Sequence, residues 1–331
     1  MEVKKNKKFE YIIIALMLVL IAVGSFLIYK KYNNKKEKEE EIDVTEKEKV
    51  TPLIYKITHD DSDNVIYLFG SIHVASLGEL EFPDYLMDAY NTSDYLAVEM
   101  DLVDYMENAT TNLDEIIKQQ TYQDGSTIKD HVSSDTYDAL VKFMKENYSY
   151  NEEMDKYNAY FFESLLTSLV LNKSGLDASS GIDIYFLTLA KKDKKEILEV
   201  ESYEFQEALL TGFPDRYYEL SINSIIEDID ESVQEIKDLY AAWKRGNEEE
   251  LYELSKTDLD DPELTQEEKE MLIDYDKKVL IDRNVNMASK LEEYFKEDKK
   301  VFYMVGAAHL VGDDGIASLL KEHGYNVEKM N

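Results

Sequence analysis

Apolar residues along the chain form short runs typical of strands and longer series with the spacing of helices. Two short runs are separated by HDDSDN at 59–64, a cluster of turn-forming residues, so the pattern predicts a β-hairpin. The run VFYMV at 301–305 is almost wholly apolar, which is typical of a strand at the centre of a buried sheet. The predicted strands are 53–58, 65–69, 95–100, 197–200, 301–305 and 325–329.

Helical spacing dominates from about residue 102 to residue 300, where apolar residues recur at intervals of three and four. The predicted helical segments there are 137–147, 157–171, 182–191, 215–243 and 270–296. Pro83 predicts the start of a short helix, and a last helix is predicted at about 313–323. The predicted order is strands, then a long helical insert, then a returning strand. This order favours an α/β or α+β fold, with one mixed sheet flanked by helices.

One longer apolar run, YIIIALMLVLIAVGSFLIY at 11–29, contains no charged residue in nineteen positions. Its length matches the roughly 30 Å hydrocarbon core of a bilayer, and lysines flank it on both sides. We interpret it as an uncleaved transmembrane signal-anchor. A cleaved signal peptide is the alternative, but Ala22-Val23-Gly24, the only small-residue cleavage candidate, lies inside the apolar run.

Charge divides the chain into two unequal parts. The whole sequence carries a net charge of −33, yet the first 49 residues hold 11 Lys and 9 acidic residues, so the rest carries −35. Such an acidic surface argues against nucleic acid as a partner. The expected parts are a basic tail at 1–10, the transmembrane anchor at 11–29, a charged tether at 30–50 and one domain at 51–331. Because a short basic tail usually stays in the cytoplasm, we expect the domain to be extracytoplasmic.

Two of the five histidines share a local pattern. Val65–Phe69 is followed by Gly70 and then His73, and Val301–Val305 is followed by Gly306 and then His309. A glycine at the end of a buried strand permits a tight turn or a close backbone approach. Each histidine then projects from the carboxyl end of a strand, which is where open α/β sheets build their sites. The other three histidines are interpreted as solvated surface residues.

A carboxylate completes this pattern. Glu99 lies near the end of the apolar run YLAVEM, where a carboxylate is costly unless it is paired, protonated or bound to a metal. Strand alternation places Asp101 on the same face. Two imidazoles and a carboxylate form a ligand set for a catalytic divalent metal such as zinc, manganese, cobalt or iron. The chain has no cysteine, so thiol nucleophiles and thiolate ligands are excluded.

Several blocks of sequence carry a family resemblance. They are LFGSIHVAS at 68–76, YLAVEMD at 95–101, GIDIYFLTLAKKDKKEILEVESYEFQ at 181–206, Trp243 and Gly246 in AAWKRGN, IDRNVNMASKL at 281–291, and VFYMVGAAHLVGDDGIASLLKEHGYNVEKM at 301–330. The last block is the most specific. Together they resemble the TraB/PrgY/GumN family, which is related to the Tiki extracellular metalloproteases, over about residues 52–330.

This resemblance implies an α/β fold of the Tiki, erythromycin-esterase and ChaN type, with two GxxH motifs and an acidic residue around one pocket. It implies that His73 and His309 are metal ligands or catalytic bases, and that Glu99 is a ligand or general base. Arg283 is then an anion or oxyanion partner, with a structural salt bridge as the alternative. The supporting residues are Gly70, Gly306, Asp101, Asp183 and Asn284. Of these, Asp183 is also a local candidate for a helix cap.

The leading hypothesis is therefore a membrane-anchored, extracytoplasmic hydrolase that depends on a divalent metal (Mn, Co or Zn). Among hydrolases, a peptidase is the preferred interpretation. Its partners are a peptide or protein substrate and, through the N-terminal helix, the membrane. One alternative is a peptide-sequestering protein without turnover, similar to the pheromone-shutdown branch of the family. A weaker alternative is a haem- or iron-binding protein, by similarity to ChaN.

Overall fold

The predicted hairpin and central strand are present in the computed structural model. It describes residues 47–76, 80–108, 113–148 and 150–330, without the side chains of 106–115. The predicted anchor at 11–29 lies outside these residues, as do the basic tail and nearly all of the tether. Among the residues described, no helix is both long and apolar enough to cross a membrane.

Six strands form the main sheet, in the order β6-β5-β7-β3-β2-β8, and two short strands pair separately. Strands β3, β5, β6 and β7 run parallel, whereas β2 is antiparallel to both of its neighbours. The sheet is therefore mixed, as predicted. The strands are β1 (Glu48–Lys49), β2 (Ile54–His59), β3 (Ser62–Ser71), β4 (Leu80–Glu81), β5 (Tyr95–Val98), β6 (Glu196–Glu199), β7 (Val301–Gly306) and β8 (Asn326–Lys329).

Strand β7 occupies the sheet interior between β5 and β3, and all six of its residues are buried. This position explains its continuous apolar sequence, because both faces of a central parallel strand are covered. The short strand β8 lies at one edge of the sheet, as its polar composition predicts.

Helices fill most of the chain between β5 and β7. The helices are α1 (Asp84–Thr92), α2 (Leu102–Asn108), α3 (Leu113–Gln119), α4 (Ile128–His131), α5 (Ser134–Asn147), α6 (Ala159–Ser174), α7 (Ile182–Asp193), α8 (Tyr203–Thr211), α9 (Asp215–Glu227), α10 (Ile229–Arg245), α11 (Glu248–Ser255), α12 (Gln266–Asp276), α13 (Asp282–Lys296) and α14 (Ile316–Glu322). Short 3₁₀ segments occur at Glu152–Lys156, Ala178–Ser180 and Ala307–Leu310, and a π-helical turn spans Lys277–Ile281.

Two predicted helical segments are interrupted. The segment 215–243 breaks at Asp228, whose side chain accepts a hydrogen bond from the Glu231 backbone N–H and so caps α10. The segment 270–296 contains the π-helical turn, which ends two residues before Arg283. Apolar periodicity continues through both interruptions, so the spacing alone does not reveal them.

Candidate functional site

Parallel pairing of β3 and β7 brings the two Gly-x-x-His motifs together. In the register of these strands Gly70 is opposite Val305, and Ser71 is opposite Gly306. A Cβ atom on Gly70 would lie 3.0 Å from the Cα and Cβ of Ala307. The glycine therefore permits β3 to approach the turn that carries the second histidine, which confirms the prediction of a close backbone contact there.

His73 is anchored by the start of α7. Its Nδ1 lies 2.8 Å from Asp183 Oδ2, and the hydroxyl of Ser71 donates to Asp183 Oδ1 over 2.7 Å. Gly181 permits this approach, because a Cβ there would lie 2.5 Å from the His73 carbonyl oxygen. Asp183 does not cap the helix, since Gly181 occupies the capping position. The local prediction of a cap is therefore wrong: the side chain is directed to the imidazole instead.

His309 lies in the 3₁₀ turn after β7 and is 2% exposed. Its Nδ1 lies 2.6 Å from Oδ1 of Asn284, whose amide donates to the Asp314 carbonyl. Since an amide oxygen can only accept, the imidazole carries its proton on Nδ1 and presents a lone pair at Nε2. Nε2 lies 3.9 Å from Oε1 of Glu99.

Glu99 follows directly after β5 and is buried. Oε1 accepts a hydrogen bond from the Gly306 N–H at 2.8 Å, and Oε2 lies 2.6 Å from Nη2 of Arg283. Burial alone raises the pKa of this carboxyl, but Arg283, the two histidines and the Gly306 N–H outweigh burial and hold the pKa below its usual range. Glu99 is therefore a carboxylate at neutral pH.

Arg283 is 1% exposed and binds two carboxylates. Beside its contact with Glu99, it makes three close contacts with Glu201, and Nη1 donates to the Val279 carbonyl. The amide of Gln206 bridges the same two carboxylates, at 3.1 Å from Glu99 and 2.8 Å from Glu201. Arg283 therefore forms a structural salt bridge, which is the alternative to an anion or oxyanion partner given above.

Glu201 and Gln206 are site residues that the sequence reasoning missed. Both fall within the quoted block at 181–206, but neither follows a Gly-x-x-His motif or lies in an apolar strand. Glu201 lies just after β6, where its N–H donates to the Glu99 carbonyl. A carboxylate one or two positions beyond a parallel strand is the signal that would have found it.

The two histidines have opposite proton affinities. For His73, burial lowers the pKa, but the Asp183 and Glu99 carboxylates outweigh burial and raise it to about 9. For His309, burial and the positive charge of Arg283 lower the pKa to about 3. At neutral pH the site therefore holds one charged and one neutral imidazole.

Asp101 is separated from this cluster. Strand β5 ends at Val98, so the alternation that places Asp101 on the face of Glu99 does not continue. The Asp101 carboxylate instead accepts from the N–H groups of Val103 and Asp104 at the start of α2, and it lies 3.3 Å from Lys191. Through these contacts Asp101 stabilises the start of α2.

His131 differs from the solvated surface residue that the sequence predicts. It is half-buried, stacks on Tyr122 with ring centroids 3.8 Å apart, and lies between Asp215 and Ser126. The Ser126 hydroxyl also contacts Asp124 at 2.5 Å. A Ser–His–Asp series thus exists outside the site, but its hydroxyl donates to a carboxylate and is not activated by the imidazole.

The donor set has the chemistry of a divalent metal site. Each imidazole holds Nδ1 in a hydrogen bond to an oxygen acceptor, which is the arrangement that orients Nε2 of a metal-binding histidine. The cluster also contains three carboxyl groups, from Glu99, Glu201 and Asp183, against one guanidinium. Two tetrahedral ligands of one cation lie about 3.4 Å apart, so the 3.9 Å between His309 and Glu99 is somewhat wider. Across the described ranges, no three His or acidic side chains are already gathered as a metal cluster.

A small cavity opens beside His73. Its volume is about 20 Å³, and we call it the Trp243 cavity. Its lining residues are Ser71, Ile72, His73, Leu239, Trp243, Leu251, Gly306, Ala307 and Ala308.

Fold and site define an α/β protein with a buried cluster of histidines, carboxylates and one arginine at the carboxyl ends of adjacent parallel strands. The chain belongs to the TraB/PrgY/gumN family, whose model matches residues 53–329. This match confirms the resemblance and its extent. Comparison with curated proteins gives no match, and comparison with solved structures gives none either.

Proposed function

We propose that this protein is a membrane-anchored, extracytoplasmic hydrolase that requires a divalent metal ion and acts on peptides. The observation that carries the proposal is the arrangement of His73, His309 and Glu99 at the ends of adjacent parallel strands, with both imidazoles anchored through Nδ1. Such anchored imidazoles beside an ionised carboxylate are typical of a hydrolytic metal centre.

Each residue has a role in this proposal. Nε2 of His73, Nε2 of His309 and Oε1 of Glu99 would hold the cation. When bound, a divalent cation lowers the pKa of a water molecule and polarises a carbonyl group. Glu99 Oε1 has one lone pair beyond its bond to Gly306 N–H, so this oxygen would serve either as a ligand of the cation or as the base that accepts a proton from the attacking water, and not as both.

Arg283 has a different role from the oxyanion partner that the resemblance implies. Its guanidinium already contacts Glu99, Glu201 and the Val279 carbonyl. To bind a developing oxyanion it would have to give up one of these buried contacts. We therefore assign Arg283 the part of keeping Glu99 ionised and in place.

Metal binding is the first test. The full-length protein in detergent is stripped with EDTA and titrated with Mn²⁺, Co²⁺ or Zn²⁺ at several pH values. Because the pKa of His73 is about 9, one proton has to leave that ring, so affinity should rise with pH up to about 9. His309→Ala should abolish binding, whereas His131→Ala, which removes a histidine outside the site, should retain it.

Peptide cleavage is the second test. A peptide library is incubated with the wild type, His309→Ala and His131→Ala, with and without added metal, and the products are read by mass spectrometry. Metal-dependent cleavage that is lost only in His309→Ala supports the proposal. Cleavage that is indifferent to metal, or unchanged in His309→Ala, would refute it.

Membrane topology has its own test. The chain lacks cysteine, so a single introduced cysteine gives a clean signal for a membrane-impermeant maleimide. Lys296 has a 72% exposed side chain, and Lys296→Cys should be labelled on intact cells. Asn6→Cys, in the basic tail, should be labelled only after lysis. The reverse pattern would place the domain in the cytoplasm.

One second function has support from the structure. Arg283 and Gln206 are both held by the Glu99 and Glu201 carboxylates, so neither is placed to stabilise an oxyanion. This arrangement suits a protein that retains a peptide without cleaving it. Intact peptide recovered after long incubation would favour this function. The Trp243 cavity is far smaller than a porphyrin, so it gives no support to haem binding.

A further inference from the structure

The Trp243 cavity has two walls of different origin. One wall is formed by the ends of β3 and β7 and by the turn after β7, where Ala307 and Ala308 have no side chain larger than a methyl group. Helices α10 and α11 form the other wall through Leu239, Trp243 and Leu251. The cavity therefore lies between the helical insert and the carboxyl ends of the strands that carry the candidate site.

The polar atoms of the cavity wall are satisfied elsewhere. Trp243 donates from Nε1 to the Gly70 carbonyl over 2.9 Å, and the Ser71 hydroxyl donates to Asp183. What remains facing the cavity is almost wholly apolar, apart from the His73 ring. Such a surface favours an aliphatic group, because among the lining side chains the His73 ring alone is left to bind a polar one.

The walls also limit the size of the occupant. Trp243 and Leu251 are 0% and 2% exposed, so neither can move aside without disturbing buried neighbours. About 20 Å³ is close to the space that one water molecule needs, which is also the scale of a methyl group. A larger side chain has to displace buried neighbours, and protein cores resist such overpacking.

Resting on the proposed function, we propose that the Trp243 cavity is the specificity pocket of this site. It receives a methyl-sized side chain, alanine above all, from the residue of a peptide substrate that lies next to the scissile bond. His73 lines both the cavity and the site, so a methyl group seated there places its own peptide bond beside the imidazole. The substrate class is a peptide with a small aliphatic residue at the cleavage position.

Binding tests this assignment without turnover. Trp243 is the only tryptophan of the chain, so its emission reports on occupants of the cavity. Acetylated hexapeptide pools with Gly, Ala, Val, Leu or Phe fixed at each position in turn are added to the full-length protein in EDTA. At one position, alanine pools should bind at least tenfold more tightly than leucine or phenylalanine pools and should shift the emission.

Two variants alter the cavity in opposite directions. Leu251→Ala enlarges it and should move the preference from alanine toward valine and leucine. Ala308→Val fills it and should weaken the binding of alanine pools while glycine pools are retained. Leu140→Ala, another buried leucine that is not part of the cavity wall, is the control for lost packing and should keep the alanine preference. If Leu251→Ala does not fold, the binding of alanine and glycine pools to Ala308→Val tests the pocket assignment by itself.

The same pools, incubated with Mn²⁺ and read by mass spectrometry, separate the two proposals. An alanine preference in binding without metal-dependent cleavage overturns the hydrolase and leaves the pocket assignment standing. Cleavage with no preference, or with a preference for phenylalanine, overturns the pocket and leaves the hydrolase standing. Absence of an alanine preference in binding overturns the pocket in either case.

Discussion

The two Gly-x-x-His histidines show how a neighbouring residue decides the charge of a buried side chain. Burial lowers the pKa of both imidazoles. Asp183 supplies a negative charge 2.8 Å from His73, whereas Asn284 offers His309 only a neutral amide. Together with the positive charge of Arg283 near His309, this difference in partner explains why His73 holds a proton at neutral pH and His309 does not.

Asp183→Asn tests this account of His73. Without the carboxylate, the charges of Glu99 and Arg283 act in opposite directions, so burial should bring the pKa of His73 from about 9 to below 6.5. The folded pKa lies above the unfolded one, so the stabilisation is complete below pH 6.5 and is lost as pH rises through about 9. The stability gap between wild type and variant should therefore narrow over that range, as denaturant unfolding in EDTA would measure.

Asp215→Asn is the matched control, since Asp215 lies at the same 2.8 Å distance from His131. An NMR titration of the His73 ring in that variant should reproduce the wild-type curve. If Asp183→Asn leaves the pKa of His73 near 9, Asp183 is not the cause of the high value.

Glu163, in α6, is a buried carboxyl that lies outside the site. It is 1% exposed, and burial raises its pKa to about 7 despite contacts with Thr167 and Ser221. The folded pKa is raised, so stability is complete below pH 4.5 and is lost as pH rises through 7. Glu163→Gln should raise the free energy of unfolding at pH 8 by on the order of 3 kcal/mol and change little at pH 4.

Thermal or urea unfolding at the two pH values measures this effect, with Glu146→Gln on the exposed face of α5 as the control. An equal effect of Glu163→Gln at both pH values would show that ionisation of the carboxyl is not its origin.

At the scale of elements, Arg283 ties helix α13 to the sheet. It lies in the first turn of α13 and reaches Glu99 after β5 and Glu201 after β6. Gln206 adds α8 to the same network. One network around this guanidinium therefore links four elements, which gives a charged side chain a structural use in a place this buried.

Arg283→Leu should lower the free energy of unfolding by about 3–5 kcal/mol, because it leaves two buried carboxylates without their cation. Arg216 is a suitable comparison, since it also contacts two glutamates, Glu219 and Glu268, but is 45% exposed. Arg216→Leu should lower the free energy of unfolding by about 1 kcal/mol at most. Denaturant titrations of the two variants measure the difference, and equal losses would contradict the importance of burial.

At the scale of the whole molecule, the net charge of −33 opposes folding through self-repulsion. Many acidic residues lie on exposed helix faces, where ion pairs such as Lys290–Glu293 and Lys278–Asp274 offset only a part of the charge. Electrostatic repulsion also disfavours contact between this acidic surface and anionic membranes.

Added salt should therefore stabilise the protein. Between about 0.01 and 0.5 M NaCl the Debye length falls severalfold, so repulsion among the carboxylates is screened and the melting temperature should rise. Thermal melts at pH 7.5 measure the change, with sucrose at matched osmolality as the control. A melting temperature that falls with salt would mean that attractive ion pairs dominate the surface.

Much of the fold follows from local sequence. The pattern of apolar residues reveals the hairpin at β2 and β3, the buried strand β7 and the helical insert. Burial of one face gives apolar residues a period of 2 in a strand and 3.6 in a helix, and burial of both faces gives a continuous apolar run. Asp228 and the π-helical turn before Arg283 were missed, since neither interruption disturbs the apolar spacing. The prediction for Asp101 failed because β5 ends three residues earlier.

By itself the sequence determined the family, the mixed α/β architecture, and the candidates His73, His309, Glu99 and Arg283, because these depend on motifs and on patterns along the chain. Only the tertiary structure decided which partner each of them has. Glu201, Gln206 and Asn284 come from distant elements, and the protonation of a buried ring depends on charges within a few ångströms of it rather than on its neighbours in sequence.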